Sequence, residues 1–240
     1  MQAAPLHGVL IVAAGRGSRA GAGLAKQYRR IGGVPVLRRT LQKFTSHERI
    51  GCIQVVIHKD DTALYESCVS GLSKLCPPVF GGDTRQASVR AGLEALAAHA
   101  PATVSIHDAA RPFVSDEIIN NALNALEVHQ GALAALPVAD TLKQVTDERI
   151  TATLPRDNLW RAQTPQSFRF EAIINAHAKA AKSGRTDFTD DAAVAEWAGL
   201  DVAVVMGSEA NIKLTTAEDL AMALDDWRAE HGKIIPGFGH

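Results

Sequence analysis

The fold class that the sequence predicts is α/β, built on a doubly wound, mostly parallel sheet. Three observations predict it. Short β-branched runs alternate with helical patterns, the first run ends in a glycine loop, and only 5% of the residues are aromatic, which leaves an aliphatic core. Strands buried on both faces read as continuous apolar runs, and a chain that alternates them with helices builds βαβ units.

The first run is Val9-Leu10-Ile11-Val12-Ala13-Ala14, followed at once by Gly15-Arg16-Gly17. Similar runs occur at Ile53 to Ile57, Pro78 to Phe80 and Val104 to Ile106, with helical patterns at Pro35 to Phe44, Thr62 to Leu75 and Arg85 to His99 between them. Pro35 suits a first helical turn, where its missing N–H costs nothing. Ser115-Asp116-Glu117 opens a further helix with acidic residues at its positive end. Ala132 to Val138 and Asp201 to Met206 complete the strand candidates. Thr215-Thr216-Ala217-Glu218 has capping-box spacing before the run Leu220 to Trp227. One stretch breaks the rhythm: Thr141 to Leu154 alternates polar and apolar residues around Asp147-Glu148, the pattern of a β-hairpin. An isolated hairpin is only marginally stable, so a second subunit is a candidate support. No internal repeat or linker divides the chain, and residues 1–240 read as one domain with a β-arm at about 139–156.

The formal net charge of −1 supplies no bulk attraction for nucleic acid or an acidic membrane, so an anionic substrate must be caught by local cations. No apolar run approaches the roughly 20 residues that span a bilayer. The Met1-Gln2-Ala3-Ala4-Pro5 start lacks the features of a signal peptide. The three cysteines, Cys52, Cys68 and Cys76, form no C-x-x-C pair, which argues against a disulfide framework and for a reducing cytoplasm. The nine histidines show no metal-ligand pairing.

Three clusters carry candidate chemistry. The first is Ala13-Ala14-Gly15-Arg16-Gly17-Ser18-Arg19 with Lys26-Gln27-Tyr28. Glycines after a first strand let backbone N–H groups approach a phosphate. A dinucleotide fingerprint formally fits, but Arg29 to Ser46 contains no acidic residue to hold a ribose. A plain turn with solvated basic residues fits the loop equally well on its own. The second cluster, Gly81-Gly82-Asp83-Thr84-Arg85-Gln86-Ala87-Ser88-Val89, joins a strand to a helix at the edge where open α/β sheets bind ligands; it also reads as ordinary helix capping. In the third, His107-Asp108-Ala109-Ala110-Arg111-Pro112, Asp108 suits Mg²⁺ or a substrate hydroxyl and Arg111 suits a phosphate, while an Asp–Arg pair closing a loop is the bland alternative. His107 reads as a brace for that loop.

Gln163-Thr164-Pro165-Gln166, Thr189-Asp190-Asp191 and Asn211-Ile212-Lys213-Leu214-Thr215 follow. In order, A-A-G-x-G-x-R, K-Q-Y, G-G-x-x-R-x-x-S-V, H-D-A-A-R-P, Q-T-P-Q, T-D-D and N-x-K-x-T resemble the 2-C-methyl-D-erythritol 4-phosphate cytidylyltransferase family, from Val9 to Thr215. The resemblance implies a Rossmann-like nucleotidyltransferase fold with a projecting arm, an interlocked homodimer, and transfer of CMP from CTP with Mg²⁺ or another divalent cation. It assigns cytosine and ribose to Ala13, Ala14 and Gly15 with Gly82, Asp83 and Ser88. Arg19 and Lys26 match the triphosphate-binding cations, and together with Lys213 they are the implied catalytic set. Asp108 matches the metal and substrate position, and Arg111, Thr141 and Lys213 match positions lining the acceptor. Arg156 and Thr164 are similar to residues that the hairpin region presents to the partner's acceptor site. Asp190-Asp191 ranks as a supporting element.

Two alternatives stand beside this reading. One is a sister enzyme with a pentitol phosphate acceptor; the other is a non-catalytic nucleotide sensor on the same fold. Some members of the family are fused at the C-terminus to a later pathway enzyme, so the natural terminus is left open.

Overall fold

The computed structural model describes residues 6–16, 24–216 and 218–224. Gly17, Ser18, Arg19 and Trp227 lie outside them. The central sheet has seven strands in the order β11-β7-β10-β6-β1-β4-β5. These are β1 (His7–Ala13), β4 (Ile50–Ile57), β5 (Val79–Phe80), β6 (Thr103–Asp108), β7 (Gly131–Pro137), β10 (Trp160–Arg169) and β11 (Val202–Met206). Neighbouring strands run parallel except at β10, which is antiparallel to both β6 and β7.

Side-chain alternation along β1 explains the layering. Val9, Ile11 and Ala13 enter one buried cluster with Leu37, Leu41 and Phe44 of α1 (Val36–Ser46), Tyr65 and Cys68 of α2 (Thr62–Val69), and Ile118, Ile119 and Leu123 of α4 (Asp116–Ala125). Leu10 enters the opposite cluster with Val89, Leu93 and Leu96 of α3 (Arg85–Leu96), Ile173 and Ala176 of α5 (Phe170–Lys182), and Val194 of α6 (Asp191–Ala198). Each helix offers a stripe at three- and four-residue spacing to a sheet that is apolar on both faces. The expected doubly wound α/β fold is therefore present. A short ribbon, β2 (Arg30–Ile31) with β3 (Val34–Pro35), leads into α1.

Several boundaries differ from the sequence pattern. Pro35 occupies the N-cap of α1 rather than its first turn. The helix expected to reach Leu75 stops at Val69, because Gly71 takes φ 75° just beyond the end, the left-handed conformation that terminates helices. Leu75 then bridges in parallel to Ile53. The last capping interaction is shifted by one residue: Asp219 Oδ2 accepts from the Thr216 N–H at 2.8 Å, and Thr216 Oγ1 accepts from the Asp219 N–H.

The arm is a separate two-stranded sheet, β8 (Leu142–Thr146) and β9 (Arg149–Leu154). Asp147 and Glu148 both have positive φ, 48° and 61°, the geometry of the two-residue turn that matches strand twist. Nearly all of the arm is exposed, Val145 and Ile150 included. Among the described residues, no helix is long and apolar enough to cross a membrane.

Candidate active site

Register places the chemistry at one edge of the sheet. Ala13 pairs with Ile57, Ile57 with Phe80, and Val12 with Asp108, so β1, β4, β5 and β6 end side by side. Next to β1, successive strands depart in opposite directions, β4 to one side and β6 to the other, and such a switch point opens a crevice beyond the carboxyl ends. A cavity of about 710 Å³ lies there, lined by Ala13, Ala14, Gly15, Lys26, Gly82, Asp83, Ser88, Asp108 and Lys213 among others. Those sequence-assigned residues therefore meet. Arg19 falls outside the described residues, and Arg111, Thr141, Arg156 and Thr164 do not line the cavity.

The glycine-lined side of the cavity is shaped by close backbone approach. A Cβ on Gly81 would lie 2.5 Å from the Ala14 Cβ, and one on Gly82 would lie 2.7 Å from the Ala87 Cβ. A Cβ on Gly15 would meet nothing within 4 Å, so packing does not demand glycine at that cavity-lining position. Gln27 staples the loop: its Nε2 donates to Ala13 O at 2.7 Å and to Gly15 O at 3.2 Å. Arg16 ties the loop to the far wall through the buried Asp61 at 3.2 Å. Thr84 caps α3 by accepting from the Ala87 N–H, and the Ser88 hydroxyl donates to Thr84 O at 2.9 Å.

Asp108 organises the other side. Its carboxylate lies 2.8 Å from Lys213 Nζ, 3.7 Å from Arg85 Nε and 3.9 Å from Arg111 Nε. Burial alone would raise its pKa, but Lys213, Arg85 and Arg111 outweigh burial and hold the carboxyl well below the usual range. Arg111 faces away from the cavity: its Nη1 donates to Asn211 O at 2.6 Å, which ties the Asp108 loop to the segment carrying Lys213. Arg85 donates from Nη2 to Asp191 Oδ2 at 2.7 Å. Burial opposes its charge, but Asp191 and Asp108 raise its pKa well above the ordinary value. Asp191, fully enclosed, is held below the usual carboxylate range because Arg85 and then His177 overcome its burial.

The resemblance gave Thr164 to the partner's acceptor site; within this chain it is buried on β10 beneath Asp108. Its Oγ1 accepts from the Asp108 N–H at 3.1 Å and donates to His107 Nδ1 at 3.0 Å. His107 Nε2–H donates to Arg111 O at 3.0 Å, and burial lowers the ring's pKa to about 4, so the imidazole is neutral and braces the loop as expected. The rest of Q-T-P-Q is also structural. Gln163 clamps the Ser208–Asn211 turn through Ser208 O and Ser208 N. Gln166 Oε1 accepts from the N–H groups of Asp191 and Ala192, each at 2.9 Å. Thr141 and Arg156 sit exposed at the base of the arm, where Arg156 donates to Ala139 O across its two legs. Arg85, Gln27 and Gln163 carry parts of the site that sequence reasoning did not assign, although each lies inside or beside a motif block.

Among the described residues, no group of three or more His, Cys, Asp or Glu side chains is placed to hold a metal. Asp83 and Asp108 are the carboxylates on the cavity wall. Such a sparse donor set suits a hard cation that arrives with phosphates and keeps their oxygens as ligands.

Comparison with known proteins agrees with this arrangement. A curated relative from Bradyrhizobium diazoefficiens, named bifunctional enzyme IspD/IspF, is 52% identical over 96% of this chain and 60% of its own length. Another of the same name, from Nitrobacter hamburgensis, is 50% identical over 96% of the chain and 59% of its own length. The chain thus spans about 60% of the length of such relatives. A solved structure from Anaerococcus prevotii, 4-diphosphocytidyl-2C-methyl-D-erythritol synthase, superposes with a TM-score of 0.81 at 31% identity, covering 93% of this chain and 99% of that one. The 2-C-methyl-D-erythritol 4-phosphate cytidylyltransferase from Francisella tularensis gives 0.79 at 32% identity, with coverage of 93% and 99%. The family model described as 2-C-methyl-D-erythritol 4-phosphate cytidylyltransferase (IspD) matches residues 8–225, and to that family the chain belongs.

Proposed function

We propose that this chain transfers CMP from CTP to 2-C-methyl-D-erythritol 4-phosphate, giving 4-diphosphocytidyl-2-C-methyl-D-erythritol and pyrophosphate. The observation that carries the reading is one cavity lined on its nucleotide side by Gly15, Lys26, Gly82, Asp83 and Ser88 and on its other side by Asp108 and Lys213. The backbone at Ala13, Ala14 and Gly15 and the Gly82–Ser88 turn hold cytosine and ribose. Lys26, with Arg19, takes the triphosphate, Lys213 serves the acceptor, and Arg111 supports it from outside the cavity by tying the Asp108 loop to the segment that carries Lys213.

The acceptor phosphate oxygen attacks the α-phosphorus in line with the departing pyrophosphate. Both reactants are anions, so repulsion between them is the main barrier. Lys26 and Lys213 offset it and stabilise charge as it develops on the transferring and leaving groups. No covalent enzyme intermediate is needed, and an ionised phosphate monoester needs no general base. Holding the two reactants aligned contributes up to ~7–11 kcal/mol of the barrier reduction. Asp108 would hold a divalent cation, Mg²⁺ by the chemistry of the donor set, and the ion would supply further neutralisation of phosphate charge.

The arm supports a homodimer, since its apolar residues have no cover within the chain and Thr141 and Arg156 lie at its base. The unpaired, buried Cys52, Cys68 and Cys76 suit a reducing cytoplasm. The test is pyrophosphate release from CTP and Mg²⁺ with either 2-C-methyl-D-erythritol 4-phosphate or ribitol 5-phosphate. Turnover with the first alone is expected. Turnover only with the second would keep the chemistry and overturn the acceptor, and silence with both would overturn the reaction.

A further inference from the structure

We infer that Asp191 is a positioning residue for CMP transfer: it anchors Arg85, so that the Arg85 guanidinium stays off the phosphates and Asp108 remains paired to Lys213. The inference rests on the reaction proposed above. Asp191 is only 1% exposed, on a helix whose N-terminus is already satisfied without it. Asp190 accepts from the Ala193 N–H at 2.9 Å, and Gln166 accepts from Asp191 and Ala192. The Asp191 carboxylate therefore caps nothing. Burying a carboxylate is costly unless it is paired, so its presence points to what it holds.

What it holds is Arg85, at 2.7 Å, while the same guanidinium stands 3.7 Å from Asp108 and lines the cavity. His177 Nε2, also buried, lies 3.3 Å from the other Asp191 oxygen without hydrogen-bond geometry, so Arg85 is the partner that holds the carboxylate. The inequality of the two Arg85 distances is the functional point. Arg85 is committed to Asp191, and Lys213 makes the short contact to Asp108, at 2.8 Å. Without the Asp191 charge, Arg85 has the Asp108 carboxylate and the bound triphosphate to turn to, since the nearby Asp190 is already engaged by the Gln166 amide and the Ala193 N–H. Engaging the first disturbs the Asp108–Lys213 pair, and engaging the second adds attraction to the ground state of CTP, not to the transition state.

The test is a double-mutant cycle of Asp191→Asn and Arg85→Gln. It is read as kcat and KM for pyrophosphate release, as Kd for CTP by calorimetry without acceptor, and as melting temperature. Asp191→Asn is expected to lower kcat by about tenfold or more while CTP binds several-fold tighter, a split that general loosening of the fold does not produce. Arg85→Gln should abolish the tightening, and the double variant should match Arg85→Gln alone, because Asp191 acts only through Arg85. Additive losses, or weaker CTP binding that tracks a lowered melting temperature, would overturn the inference and leave Asp191 a purely structural residue. If Asp191→Asn is too unstable to assay, Arg85→Lys carries the test. It keeps the charge but lacks the planar fork that docks on Asp191, so a released ammonium should tighten CTP binding while kcat falls, and an undiminished kcat would overturn the inference. The calorimetric arm needs no acceptor and judges the relay separately from the proposed reaction, which stands or falls on wild-type turnover.

Discussion

Lys213 Nζ sits 2.8 Å from Asp108 Oδ2, so the ammonium proposed to serve the phosphates is docked on a carboxylate held ionised by three cations. Removing it leaves Asp108 with Arg85 and Arg111, so the fold should tolerate the loss. Lys213→Ala is expected to lower kcat/KM by roughly 10²–10³-fold, the scale seen when one preorganised donor to developing charge is lost. The melting temperature should barely move. Pyrophosphate release and thermal melting on the same preparation check both halves, and a large fall in melting temperature would show that Lys213 holds the loop, not the substrate.

Thr164 makes the opposite prediction, since it touches Asp108 through the backbone. Thr164→Val keeps the shape but strands the Asp108 N–H and the His107 Nδ1, both buried. The expected cost is about 1–3 kcal/mol in urea unfolding, with Thr164→Ser recovering most of it. Unchanged stability in the valine variant would return Thr164 to a role at the surface of an assembly.

The sheet strands that were legible in the sequence share one property, being apolar on both faces, while the arm was legible from the alternation of polar and apolar residues around Asp147-Glu148. β1, β4 and β6 announce themselves as Val- and Ile-rich runs, and the glycine loop, Asp108 and Ser88 follow from where those runs end. β10 does not. Its buried stretch is Gln163, Thr164, Pro165, Gln166 and Ser167 before the apolar Phe168, a mostly polar composition that reads as loop, yet it pairs within the sheet between β6 and β7, where these side chains satisfy neighbouring loops. The motif Q-T-P-Q pointed to the family but not to its work of clamping the segments that carry Lys213 and Asp191. Arg85 was hidden because one arginine in a capping segment says nothing about two aspartates that only tertiary structure brings together.

Buried histidines set an acid limit that precedes the carboxylates. Burial lowers His107 to about 4 and His7 to about 3, with Arg49 and His47 adding to the effect on His7. The unfolded chain therefore binds protons at these sites from about pH 6.5 downward while the native state does not, and stability falls as pH drops from there toward the folded values. For His107 alone the full loss is roughly 3 kcal/mol. Asp108 and Asp191 act lower: their folded pKa values are depressed, so their contribution is present above about pH 4 and is lost as pH falls further. Urea unfolding at a series of pH values should show stability declining already between about pH 6.5 and 4.5. A flat profile across that window would mean the two histidines are charged or exposed in the native state.

The arm tests the proposed assembly. Val145 pairs across its strands with Ile150, and these side chains are 55% and 66% exposed, a large apolar surface for a two-stranded sheet that lies outside the core. A hairpin of this kind gains order by being covered, and a second copy supplies an identical surface by symmetry. Wild-type protein is expected to sediment as a dimer at micromolar concentration. Val145→Lys with Ile150→Lys should shift it to monomer with an unchanged circular dichroism spectrum, because neither residue belongs to the core of the seven-stranded sheet. On the proposed reading the monomer should also lose CMP transfer while still binding CTP, since Thr141 and Arg156 lie outside the cavity of their own chain and are proposed to reach an acceptor in the assembly. A monomeric wild type, or a charged arm that still dimerises, would show that the arm is not the interface. Full activity in the monomer would show that each chain completes its acceptor site alone.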